Sequence, residues 1–139
     1  EITRQTLKCL FDELKSIDIY FPGVILKPSM VISGDKNLNR ADFEKVAKMT
    51  VHCLKEMCPT DLGGVAFLSG GQSNDEATNH LKLMNSGDYD LPWRVTFSYA
   101  RAIQQSALNA WSGKDENHKE AQHILGKRAK LCSDASIGS

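Results

Sequence analysis

The sequence predicts an α/β fold: one helix followed by three strand-helix units whose strands run parallel. Three observations predict it. Short apolar runs alternate with longer stretches whose apolar residues recur at helical spacing. The first two runs are solidly apolar, as in a parallel sheet, and they end on Lys27-Pro28 and on Ser69-Gly70-Gly71, where a strand must stop. Two architectures satisfy this order, a small doubly wound sheet and a piece of a β/α barrel. Three units cannot close a barrel, which takes eight strands and about 250 residues, so periodicity alone favours the open sheet.

Taken in order, residues 2–17 carry Leu7, Leu10, Phe11 and Leu14 on one helical stripe, and Val24, Ile25 and Leu26 form the first buried strand. A polar loop over 33–39 follows. Asn39, a good capping residue, is expected to open the second helix, with Phe43, Val46, Ala47, Thr50, Leu54 and Met57 on one face and Pro59 and Gly63-Gly64 beyond its end. Residues 65–68 form the second strand. Ser73 and Glu76 then stand at capping-box spacing ahead of a third helix through Ala77, Leu81 and Met84. After a turn-rich segment over 86–92, the alternation of Trp93, Val95, Phe97 and Tyr99 marks the third strand, and Arg101 begins a helix with Ile103, Ala107, Leu108 and Trp111. A polar helix covers about 116–131, and residues 133–139 read as the start of a small-residue tail, so that 1–139 is a single partial domain.

Composition narrows the class. With 41% hydrophobic and 24% charged residues, the chain has the make-up of a globular protein and not of a disordered one. Seventeen basic and seventeen acidic side chains cancel without gathering into runs, which argues against nucleic acid or an anionic membrane as partner. No apolar run approaches the roughly 20 residues of a membrane span, and the first residues lack the apolar centre of a signal peptide, so the chain reads as soluble. Cys9, Cys53, Cys58 and Cys132 form no Cys-x-x-Cys pair and are expected to be free, mostly buried thiols of a reducing compartment. His52 with Cys53 and Cys58, or His118 with His123, matches no zinc spacing, so no metal is expected.

Chemistry collects where strands end. Lys27 lies at the exit of an apolar strand, where partial desolvation makes a lysine a nucleophilic amine; the same placement also suits a lysine whose stem lines the core while its head reaches water. Ser69, Gly70 and Gly71 precede a helix, so bare glycine amides and a hydroxyl can face one phosphate, although a plain tight turn uses the same residues. Arg101 in a first helical turn opposes the helix dipole, a placement that makes sense beside an anion. Phosphate sites after the last two strands, with catalytic groups from several strand ends, are characteristic of β/α barrels.

The segments V-I-L-K-P-S-M-V, G-V-A-F-L-S-G-G-Q-S-N-D-E-A-T and F-S-Y-A-R-A-I-Q-Q-S-A-L-N-A-W-S-G-K resemble, in order and spacing, the last three barrel segments of class I fructose-bisphosphate aldolases. The resemblance implies the C-terminal portion of a TIM (β/α)8 barrel. It matches Lys27 to the imine-forming lysine, Ser69, Gly70 and Gly71 to a phosphate-binding loop, and Ser98, Ala100 and Arg101 to sugar-phosphate contacts after the last strand. The implied activity is glycolytic or gluconeogenic: reversible cleavage of fructose 1,6-bisphosphate to dihydroxyacetone phosphate and glyceraldehyde 3-phosphate through a lysine Schiff base, with no cofactor. The implied partners are sugar phosphates and, for the parent protein, three further copies in a homotetramer. The implied compartment is the cytoplasm, or alternatively the plastid stroma.

Ala100 departs from the glycine that many family members carry before the arginine, which requires its φ to be negative. The family's acid/base glutamate, its other active-site lysines and its aspartate belong to upstream strands that this sequence does not contain, and its C-terminal tyrosine tail is absent from it too. The alternative is therefore a non-catalytic chain that serves only as a phosphate-binding or interaction module.

Overall fold

The computed structural model describes residues 1–87 and 89–139; Asp88, in the predicted 86–92 turn, lies outside the described residues. Helix α1 (Ile2–Ser16) leads through a 3₁₀ turn (Phe21–Gly23) to β1 (Ile25–Leu26). Then come α2 (Phe43–Met57), β2 (Gly64–Phe67), α3 (Asn74–Ser86), β3 (Val95–Phe97), α4 (Arg101–Trp111), a second 3₁₀ turn (Asp115–Asn117) and α5 (His118–Ala135). The expected order of one helix and three strand-helix units is therefore present.

The strands pair in parallel in the order β1-β2-β3, with Leu26 opposite Val65 and Val65 opposite Val95. Because parallel crossovers are right-handed, strands laid down in simple sequence order put their connecting helices on one side of the sheet. Burial agrees with that geometry. Leu26, Val65, Phe67 and Val95 are buried under helices, whereas Ile25, Thr96 and Ser98, in alternate positions, are exposed. The full burial that a solidly apolar run suggests is thus corrected: Ile25 is 65% exposed, and among the described residues no element covers that face. A doubly wound sheet covers both faces. This sheet is singly wound and forms three strand-helix units of a β/α barrel.

Two further expectations shift for local reasons. Helix α2 begins at Phe43 and not after Asn39, because the Ala41 N–H donates to Ser33 Oγ (2.9 Å) and holds the chain out of a helix. Asp42 then caps it, accepting from the Lys45 N–H at 2.7 Å. Helix α5 continues to Ala135, so residues 133–135 are not tail. Cys132 and Ala135 are buried there, and Asn85 Nδ2 of α3 donates to the Ala135 carbonyl at 3.2 Å, so packing extends a helix whose sequence gives little signal of it. The capping box predicted for α3 is present: the Glu76 N–H donates to Ser73 Oγ (3.2 Å) and the Ser73 N–H to Glu76 Oε2 (2.6 Å).

Candidate active site

The three strand ends are tied side by side. Beyond the strands proper, the Leu68 N–H donates to the Pro28 carbonyl (3.0 Å) and the Ser98 N–H to the Phe67 carbonyl (2.8 Å). These bonds bring the residues after β1, β2 and β3 to one edge of the sheet, where the sequence placed its candidate chemistry.

Lys27 follows β1 directly and, by the twofold alternation of a strand, shares the open face with Ile25. It is exposed, and among the described residues it makes no ion pair or hydrogen bond. Among the described residues nothing covers the ammonium, so they do not supply the partial desolvation expected at the strand exit.

The second cluster joins two loops. Ser69 is only 7% exposed, and its hydroxyl has no hydrogen-bond partner among the described residues. The N–H groups of Ser69, Gly70 and Gly71 likewise have no protein acceptor among them, because the turn is closed by the Gln72 N–H donating to the Ser69 carbonyl (3.3 Å). Gly71 needs to be glycine: its φ is +73°, and a Cβ there would stand 2.8 Å from Ile32 Cδ1.

Opposite this loop, α4 begins at Arg101 with Ala100 in the N-cap position, which offers no side-chain cap, and its first turn carries no acidic residue. Ala100 has φ −99°, so the negative φ that alanine requires is met without strain. Arg101 makes no ion pair among the described residues, and its Nη2 lies 3.9 Å from where a Gly70 Cβ would sit. The structure therefore gathers Ser69, Gly70, Gly71 and Arg101, with free amides from a loop and an uncapped helix end: a cradle with the chemistry of an anion site. Ser98 is exposed on the open face at the neighbouring strand end.

The N-terminus of α3 contributes less than expected. Its capping box occupies the Glu76 N–H, and the Glu76 carboxyl is held below its ordinary value, mainly by the hydrogen bond from the Ser73 backbone, so it stays anionic. Arg40, which no motif singles out, balances that charge: its Nη2 lies 3.1 Å from Glu76 Oε1 and donates to the Gly71 carbonyl at 3.1 Å. Below the loop, Gln72 Oε1 and His80 Nδ1 are 2.7 Å apart, with His80 2% exposed and its acidity set by burial, which keeps the ring neutral. Cysteine nucleophiles are not part of this site. Burial pushes the Cys58 thiol up to about 12 and also raises Cys53 and Cys132. Among the described residues, no three histidine, cysteine, aspartate or glutamate side chains gather to hold a metal.

Comparison with known proteins matches residues 1–139 to the family described as fructose-bisphosphate aldolase class-I. The chain belongs to that family. Among similar proteins, fructose-bisphosphate aldolase 2 of Caenorhabditis elegans is 42% identical over 99% of this chain and 38% of its own length. A probable class 1 aldolase of Xanthomonas campestris is 46% identical over 99% of this chain and 41% of its own. In structure, the aldolase of Plasmodium falciparum, solved in complex with TRAP and a small-molecule inhibitor, superposes with a TM-score of 0.92 at 40% identity, over 99% of this chain and 39% of that one. The chain thus spans about two fifths of the length of the aldolases it matches. That is consistent with three of eight barrel units.

Proposed function

We propose that these residues supply the Schiff-base lysine and one phosphate cradle of a fructose 1,6-bisphosphate aldolase. The observation that carries the reading is the juxtaposition at one sheet edge of an unpaired lysine after β1 with a cradle of free amides and Arg101 after β2 and β3.

In this reading the Lys27 amine adds to the C2 ketone of the open-chain bisphosphate, and loss of water gives a protonated imine. A base from the remaining strands of the barrel takes the C4 hydroxyl proton. The C3–C4 bond then breaks, its electrons pass to the iminium to give an enamine, and glyceraldehyde 3-phosphate leaves. Protonation of the enamine at C3 and hydrolysis of the imine release dihydroxyacetone phosphate and restore Lys27. The iminium is the electron sink, so the reading calls for no metal or other cofactor. Ser69, the amides of Gly70 and Gly71, the first turn of α4 at Ala100 and the Arg101 guanidinium hold the phosphate next to the ketone, while Ser98 lies beside the sugar.

The resemblance also supports assembly as a homotetramer in the cytoplasm or plastid stroma, and sedimentation tests the former. Among the described residues, no helix is long and apolar enough to cross a membrane. The decisive assay is coupled cleavage of fructose 1,6-bisphosphate by a complete eight-strand barrel that includes these residues. Lys27→Arg, whose guanidinium cannot form an imine, is expected to abolish turnover; normal turnover in that variant would refute the assignment.

A further inference from the structure

We propose that Arg128 is a positioning residue for the phosphate cradle, clamping the first turns of α3 and α4 so that the 69–71 loop and Arg101 face the same anion. The inference rests on the cradle assigned above and goes beyond it, because Arg128 lies on α5, outside both loops.

Arg128 is 8% exposed, and its guanidinium reaches two helices at once. Nε donates to the Ala102 carbonyl of α4 at 3.0 Å, one residue beyond Arg101. Nη2 donates to the Asn74 carbonyl and to Thr78 Oγ1 of α3, both at 2.8 Å, and Nη1 to Asp75 Oδ1 at 3.3 Å. Asn74 opens the helix that follows the 69–71 loop. One rigid planar group therefore sets the spacing of the two segments that form the cradle, and a lysine, with a single rotatable ammonium, cannot span the same acceptors.

Two neighbouring bonds tie the same elements: Asn74 Nδ2 donates to Ser106 Oγ (2.9 Å), and the buried Tyr99 hydroxyl donates to the Ala77 carbonyl (2.8 Å). Arg128 differs from them in carrying a charge that its position does not favour. It stands beside the positive ends of two helices, and its one ionic partner among the described residues, Asp75, has a side chain 85% exposed to water. A buried charge in such a place is poor value for stability, and its use lies in fixing geometry.

The test uses a complete barrel carrying these residues and measures KM and kcat for fructose 1,6-bisphosphate and the inhibition constant of inorganic phosphate. Arg128→Lys is expected to raise KM and the phosphate constant together by about tenfold while kcat changes by less than about threefold. If Arg128 acts through Arg101, then in an Arg101→Ala background the same change should add less than about threefold, because coupled residues are non-additive. Arg101→Ala alone separates the two claims. If it leaves both constants unchanged, the cradle itself is wrong. If it raises them while folded Arg128→Lys leaves them unchanged, lowers kcat alone, or adds its full effect in the double variant, the positioning role is overturned and the cradle stands. Should Arg128→Lys lose its helical circular dichroism, Thr78→Val, which removes one acceptor and keeps the volume, decides: a phosphate constant equal to that of the parent overturns the proposal.

Discussion

Ile25 offers a test of the barrel geometry that gives opposite answers in two contexts. The chain exposes 8710 Å², whereas a compact monomer of its 15.4 kDa is expected to expose about 7,200 Å², so about 1,500 Å² is surplus. That surplus on one side is about twice what a standard protein-protein interface takes from each partner, about 800 Å², and is of the size of an obligate interface. Ile25 stands on the uncovered sheet face with roughly a third of its surface buried. Truncating a fully buried isoleucine to alanine costs about 2 to 5 kcal/mol, whereas exposed substitutions stay within about 0.5 kcal/mol. Ile25→Ala should therefore cost about 3 kcal/mol in a complete barrel, read by urea unfolding. In the isolated 139-residue chain the open face and the unpaired edges of β1 and β3 should instead give dye binding, self-association and a broad thermal transition, with negligible cleavage activity, and Ile25→Ala should reduce the dye binding. A sharp, concentration-independent, monomeric transition of the isolated chain, or a cost below about 0.5 kcal/mol in the complete barrel, would refute the reasoning.

Three further outcomes follow from the site, all in a complete barrel. Arg101→Ala should weaken substrate binding by about 1.5 to 3 kcal/mol, the worth of charge-assisted hydrogen bonds, and unchanged KM and kcat would remove Arg101 from the cradle. Gly71→Ala forces a side chain into φ +73° and against Ile32 Cδ1 at 2.8 Å. It should cost about 1 to 2 kcal/mol in urea unfolding and raise KM, whereas a neutral result would mean that the loop relaxes freely. Burial holds the His80 imidazole below its ordinary value of 6.5, so its contribution to stability is full above that pH and is lost as pH falls toward the folded value. Replacing His80 with glutamine should flatten the part of the stability-pH curve below about 6.5, and an unchanged slope there would show that His80 is not the titrating group.

How much of this was legible in the sequence depends on range. Local signals read true: the Ser73 and Glu76 capping box, the start of α4 at Arg101, and the turn after β2 at Gly70-Gly71 all depend on a few neighbouring residues. Helix α2 starts later than Asn39 suggests because Asn39 and Asp42 are equally good caps in isolation, and a bond from 8 residues away, Ala41 to Ser33, decides between them. Apolarity alone could not say that Ile25 faces open space while Leu26 is buried, since both suit a parallel strand. Arg40 and Arg128 act through partners 26 to 54 residues distant, which spacing cannot reveal. Arg128 did leave a trace: it is in phase with Ile124, Cys132 and Ala135 on the inner stripe of α5, where a charged residue is out of place.

The most direct measurement is covalent. Borohydride added to a complete barrel containing these residues, in the presence of dihydroxyacetone phosphate, reduces the imine and fixes the substrate to its lysine. Peptide mass mapping should find the three-carbon phosphate on Lys27 alone. A label on any other lysine, or none at a substrate concentration that saturates cleavage, would contradict the assignment of Lys27 as the Schiff-base residue.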